Sequence, residues 1–202
     1  MACDHQREHN EVVEVTTKMS EENQAIQKPE KYNVKSGVIT YTTKLKTLSV
    51  DMSYKTIVYF DDYGRIECRD TYDSTQLRQT FMSDGKWLYQ ISHPKKTVYR
   101  TGKDRHGTEQ KFDWNTVPQQ DKDSGRAIKL PNEIIAGKDC EVYMVQADIA
   151  KAKYAGWQNI LMLSEISSPG GTSTLIAVEV QLIAPPKEKF ILPKDYLLRN
   201  PL

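Results

Sequence analysis

The sequence has no apolar run approaching the length of a bilayer-spanning helix, no excess of either charge, and no spacing that signals a catalytic or metal site. The first absence excludes a helical membrane crossing within the 202 residues. The second leaves no partner implied by charge: 28 basic and 27 acidic residues are interspersed for a formal net charge of +1. No basic stripe follows a nucleic-acid backbone and no acidic run forms a solvating tail. The third leaves chemistry without an agent. Asp61-Asp62 and Asp121-x-Asp123 lie in turn-like sequence, where carboxylates cap backbone amides, and no Ser-His-Asp, Cys-His or zinc-ligand arrangement occurs. The residues therefore point to a non-enzymatic protein with no cofactor.

Cysteine is scarce, at three residues in different settings. Cys68 and Cys140 fall inside expected strands, where a disulfide (in an oxidising compartment) and two buried thiols are both open readings. Cys3 sits in Met1-Ala2-Cys3-Asp4 ahead of a polar stretch. No charged and apolar region precedes it, so the chain as given carries no secretory signal. A small residue before a near-terminal cysteine resembles the end of a bacterial lipoprotein signal, which makes Cys3 a lipidation candidate; a free thiol in a frayed terminus is the alternative.

What the sequence does have is aromatic and β-branched residues in short alternating runs, within a composition that is 38% hydrophobic with eleven tyrosines and three tryptophans. That content supports a packed core, and the length suits one domain plus a tail. The clearest stretch is Tyr54 to Ser92, where the runs are broken by Asp-Asp-Tyr-Gly and Ser-Asp-Gly, the punctuation of antiparallel strands joined by tight turns. From Gly64 to Tyr72, Ile66, Cys68 and Tyr72 share one face while Arg65, Glu67, Arg69 and Thr71 share a solvated one. Strands on either side are apolar on both faces, through Ile57, Tyr59, Val58 and Phe60 and through Trp87, Tyr89, Ile91 and Leu88. Such strands need cover on both sides, from a second layer, helices or a ligand.

Residues 1–31 are too polar to order a long segment and read as a tether, with a short helix near Glu21 to Gln27. His5 and His9 in it read as a solvated tail, since no second group of ligands accompanies them. Residues 32–202 form the domain. Gly37 to Leu45 is its first strand; His93 is a turn residue, and Thr97 to Arg100 returns as a strand. Gly102 to Ser124 is a long loop in which Phe112 and Trp114 are either pins to the core or a lid over an apolar opening. Ile128 to Ile135 is helical or extended, Cys140 to Val145 is a strand, and Asp148 to Ala155 has the composition of one or two helical turns. Ser168-Pro169-Gly170-Gly171 marks a hairpin whose second strand runs to Ile183, and Phe190 to Leu197 closes against the sheet edge.

Several local strings carry a family resemblance: Ser36-Gly37-Val38-Ile39-Thr40-Tyr41, Tyr59-Phe60-Asp61-Asp62-Tyr63-Gly64-Arg65, Ser83-Asp84-Gly85-Lys86-Trp87-Leu88-Tyr89, Ile135 to Tyr143, and Phe190-Ile191-Leu192-Pro193. Their order resembles the LolA-like group of envelope lipoprotein-associated domains over about Ser36 to Leu198. The resemblance implies a mainly β fold, a strongly curved antiparallel sheet forming an unclosed barrel with helices or loops on its concave side. It also implies a Gram-negative periplasmic or outer-membrane location and an acyl chain or lipoprotein as partner. The expected hollow wall is Tyr59, Trp87, Tyr89, Ile91, Tyr143 and Trp157. The alternative function is an envelope interaction module using its sheet edge or the 102–124 loop.

Overall fold

The computed structural model describes residues 30–103 and 114–200. The expected mainly β class and unclosed antiparallel sheet are observed: twelve described strands form one sheet, in the order β12-β6-β5-β4-β3-β2-β1-β11-β10-β9-β8-β7. In chain order they are β1 (Gly37–Thr47), β2 (Asp51–Asp61), β3 (Ile66–Asp73), β4 (Gln76–Ser83), β5 (Trp87–Ser92), β6 (Thr97–Lys103), β7 (Ala127–Ile135), β8 (Lys138–Gln146), β9 (Lys151–Trp157), β10 (Ile160–Ser168), β11 (Gly171–Gln181) and β12 (Leu197–Arg199). All neighbours pair antiparallel except the short β12, which pairs parallel to β6. Strands β7 and β12 are the two ends of the order, so hydrogen bonds do not close the sheet. The only described α-helix is one turn, α1 (Gln119–Asp123), in the long loop.

One expectation is corrected. Asp148 to Ala155 is not helical: Ala147 and Ala150 exchange the backbone hydrogen bonds of a tight hairpin, and Lys151–Trp157 is β9. Alanine and lysine favour a helix, but so short a segment gains little from propensity against a costly nucleus. Pairing with β8 on one side and β10 on the other satisfies its backbone instead. Ile128 to Ile135, open in the sequence, is extended as β7.

The sheet coils. Laid flat, the β2–β3 tip and the β9–β10 tip would be separated by four strand spacings, about 19 Å. Consecutive residues of one segment hold both: the Tyr63 carbonyl accepts from the amides of Lys31 and Tyr32 at 3.0 Å, and the Gln158 carbonyl accepts from the Asn33 amide at 3.1 Å. Adjacent Cα atoms are about 3.8 Å apart, so the two tips have been drawn together. Tyr32 packs edge-on against Phe60, ring centroids 4.6 Å apart, and donates to Glu67. The coil therefore closes toward the face that bears Phe60 and Glu67, which is the concave one. Gly64 makes room for this strap: at φ 81°, a Cβ there would sit 2.6 Å from the Tyr32 ring.

Alternation along β2 divides the core in two. Val58 and Phe60 join Ile39 and Tyr41 of β1, Tyr32, and Cys140, Val142, Ala155, Ile160 and Met162 of β8–β10 in a first cluster. Tyr59, on the opposite face of β2, packs against a second cluster of Cys68, Met82, Tyr89, Ile91 and Val98 from β3–β6. The first cluster is reached by a bend. Pairing of β10 with β11 stops at Leu163, where a bulge shifts the register with β9, and the Leu161 carbonyl accepts from the Tyr41 hydroxyl at 2.9 Å.

Candidate functional site

The face of β3–β6 opposite the one that bears Glu67, convex by continuity with the coil between β2 and β10, forms a seat (the convex trough) that the chain itself fills. Phe190, Leu192 and Tyr196 pack onto Cys68, Met82, Tyr89, Ile91 and Val98. The segment then adds β12 to the edge of β6. Below it runs a directional chain of hydrogen bonds. Thr80 has one hydroxyl proton, and gives it to Asp70 at 2.5 Å. Its oxygen then accepts from Nε2–H of His93 at 2.9 Å, which leaves Nδ1 to accept from the Tyr196 hydroxyl at 3.1 Å. The other Asp70 oxygen accepts from the Lys189 ammonium at 2.6 Å, and that ammonium lies 4.4 Å from the Tyr59 ring centroid.

This relay contains the residue types of a catalytic constellation, but its geometry is that of a fastening. Asp70 is 2% exposed and Thr80 4%, so the hydroxyl reaches no substrate. Burial holds the His93 imidazole below its usual range despite Asp70. Burial also pushes the Cys68 thiol up, with Asp70 adding to it, so this sulfur is not a nucleophile. Burial works against the Lys189 ammonium, but Asp70 outweighs it and raises that group. Each partner bonds another part of the fold, and the whole locks the C-terminal segment in register.

The concave face of the same strands is different. Arg69 pairs with Phe81, Phe81 with Gln90 and Gln90 with Tyr99, so these four share a face, joined one row away by Leu88 opposite Ser83. Register carries this face back to Phe60 and Glu67. Phe81 is 46% exposed, Leu88 39% and Tyr99 37%. Covering what remains exposed would return roughly 1–2 kcal/mol apiece.

At the border between strip and strap stands Glu67. The sequence puts it on a solvated face, whereas its side chain is 12% exposed because Lys31 and Tyr32 fold over it, each donating at 2.8 Å. Arg69 adds a bond at 2.9 Å. Burial alone would raise this carboxyl, but Lys31, Arg69 and the two strap hydrogen bonds outweigh it and hold it at about 2. Burial and Glu67 together raise the Tyr32 phenol.

The expected wall residues fall in three places. Tyr59, Trp87, Tyr89 and Ile91 come together in the convex trough beneath the C-terminal segment. There the Arg100 guanidinium covers the Trp87 ring at 4.3 Å and the Tyr89 hydroxyl donates to Asp84 at 3.1 Å. Tyr143 lies between Trp114 and Tyr154, with centroids 5.7 and 5.6 Å away. Trp157 packs on the first cluster under the Lys138 ammonium. Cys3 and Phe112 lie outside the described residues. Cys68 and Cys140 are buried free thiols in different clusters.

Among the described residues, no three His, Cys, Asp or Glu side chains are placed to hold a metal ion. An open depression of about 220 Å³ lined by Thr42, Ser53, Tyr54, Lys55 and Ser74 is smaller than the roughly 300–1,000 Å³ of small-molecule pockets. The sequence reading missed the strap and the relay. The first left no local signal, but the second left one: alternation on β3 places Asp70 on the same side as Cys68, a carboxylate at an inward position that demands a partner.

No family model and no curated protein matches the chain. Solved structures do. An uncharacterized conserved protein from Thermus thermophilus is 8% identical with a TM-score of 0.54, over 84% of this chain and 93% of that one. A LolA superfamily protein from Nitrosomonas europaea is 14% identical with a TM-score of 0.36, over 83% and 96%. A putative outer membrane lipoprotein-sorting protein domain from Vibrio parahaemolyticus is 10% identical with a TM-score of 0.40, over 77% and 89%. At 8% identity the likeness to the Thermus protein concerns the fold alone.

Proposed function

We propose that this chain is a non-catalytic binding protein of the Gram-negative cell envelope, which holds an acyl chain of a lipid or lipoprotein against the concave face of β4–β6. The observation that carries the proposal is the strip of Phe81, Leu88 and Tyr99, half-exposed on the inside of a coiled sheet. A hydrocarbon lying along it loses water from both surfaces, and Gln90 and Arg69 at its border supply polar contacts. Tyr59, Trp87, Tyr89 and Ile91 would take part only if Phe190, Leu192 and Tyr196 left their seat. Trp114 with Phe112 would serve as the lid, and Cys3, if lipidated, would tether the domain to a membrane.

Native mass spectrometry and lipid extraction of the purified chain test this. The expected result is a co-purified amphiphile that is lost in Phe81→Glu, with the circular dichroism spectrum unchanged. A wild-type chain that neither carries nor takes up a fatty acid would overturn it.

A second reading has its own observation. Strand β7 ends the sheet with an unpaired edge among the described strands, and Ile134 on it is 71% exposed. An envelope protein adding a strand there would make the chain an interaction module. Pro131 and the bulge between Leu130 and Glu133 restrict such an addition to one half of the edge.

A further inference from the structure

The convex trough recognises a peptide, and the peptide it holds shows what it selects: a cation at Asp70, apolar side chains at the Phe190 and Leu192 seats, a phenol at His93, and an extended strand for the β6 edge. We propose that this seat also accepts the same segment from a second copy of the chain, so that two molecules exchange residues 187–199 and each completes the other's trough. The proposal is independent of the acyl-binding reading, because the trough and the strip lie on opposite faces of β3–β6.

Three observations support exchange. First, the seat is charge-complementary to the segment: Asp70 is 2% exposed and pairs with Lys189, so an empty trough would strand a buried carboxylate, and a second copy supplies the only chemistry already matched to it. Second, the connection allows either route. From Gln181 to Lys189 eight residues can extend to about 26 Å, while β11 and β3 are three strand spacings, about 14 Å, apart. Pro185 and Pro186 stiffen that connection, and Pro186 is extended at φ −58°, ψ 131°. Third, the hinge exposes two consecutive large apolar residues, Leu182 at 48% and Ile183 at 51%. In the closed monomer about half of each stays open to solvent, whereas two hinges crossing in a reciprocal dimer lie side by side.

Charge exchange tests this directly. Asp70→Lys and Lys189→Asp, each in the full chain, place like charges in their own seats. In a mixed exchanged dimer each trough again holds opposite charges. The lysine introduced at position 70 faces the aspartate introduced at position 189 in one trough, and the unaltered Asp70 faces the unaltered Lys189 in the other. After the two variants are mixed and warmed, native mass spectrometry should show a one-to-one heterodimer in at least tenfold excess over either homodimer. A mixture that stays monomeric overturns the proposal. Should either variant fail to fold, unlabelled wild-type chain of 23.2 kDa and the heavier ¹⁵N-labelled wild-type chain are mixed at millimolar concentration. A hybrid dimer that falls at least fivefold when both hinge prolines are changed to Gly supports exchange, and a wild-type chain monomeric throughout contradicts it.

Discussion

Strands β3–β6 present two apolar faces, and only one of them is finished. The convex face buries Ile91 to 2% exposure and Val98 to 1% beneath Phe190, Leu192 and Tyr196, and pins that cover with a buried ion pair and an imidazole. The concave face leaves Phe81, Leu88 and Tyr99 at 37–46% exposure, although the same coil is closed at one end by the strap from Lys31 to Lys35. The same four strands thus show an outer apolar face that the chain covers with its own C-terminal segment beside an inner strip that it leaves half-exposed.

Substitutions can break or sharpen that contrast. The largest effect belongs to the convex face: Ile91→Ala should cost about 3 kcal/mol in urea unfolding, as transfer and cavity terms add. An effect of similar size concerns Glu67, where strap and strip meet. Its folded carboxyl is held at about 2, below the ordinary value of 4.5, so its contribution is fully present above pH 4.5 and lost as pH falls through 2. A difference of this size corresponds to about 3 kcal/mol, and Glu67→Gln should flatten the acid limb of the stability profile over that window.

Asp70→Asn has a smaller effect. It keeps the shape but removes the charge opposite Lys189, whose side chain is 31% exposed and can turn to water. The expected cost is about 2 kcal/mol, with faster amide exchange confined to residues 187–199. Least of all, Phe81→Ser should change stability by no more than about 0.5 kcal/mol, the range of exposed positions. A loss as large as that of Ile91→Ala would mean that the concave strip is core after all.

The strands were legible because alternation and turn chemistry act over a few residues: Asp62, Gly64, Asp84 and Gly85 mark hairpin tips wherever the chain lies. Asp148 to Ala155 was not, since its composition suits a helix and only its neighbours β8 and β10 decide otherwise. The locks were hidden for a related reason. Lys31 meets Glu67 across 36 positions and Lys189 meets Asp70 across 119, distances over which no local pattern carries information. Wall residues could be picked by type, but two-sided apolar strands do not say which face the chain itself will fill.

The central claim is that the concave strip, and not the convex trough, receives the hydrocarbon. Stearic acid bound to ¹³C-methyl- and aromatic-labelled protein tests it through intermolecular NOEs, which require direct contact. The account predicts NOEs from the acyl chain to Phe81, Leu88 and Tyr99 and none to Ile91 or Val98. NOEs to Ile91 and Val98, or none to any of these residues at saturating fatty acid, would contradict it.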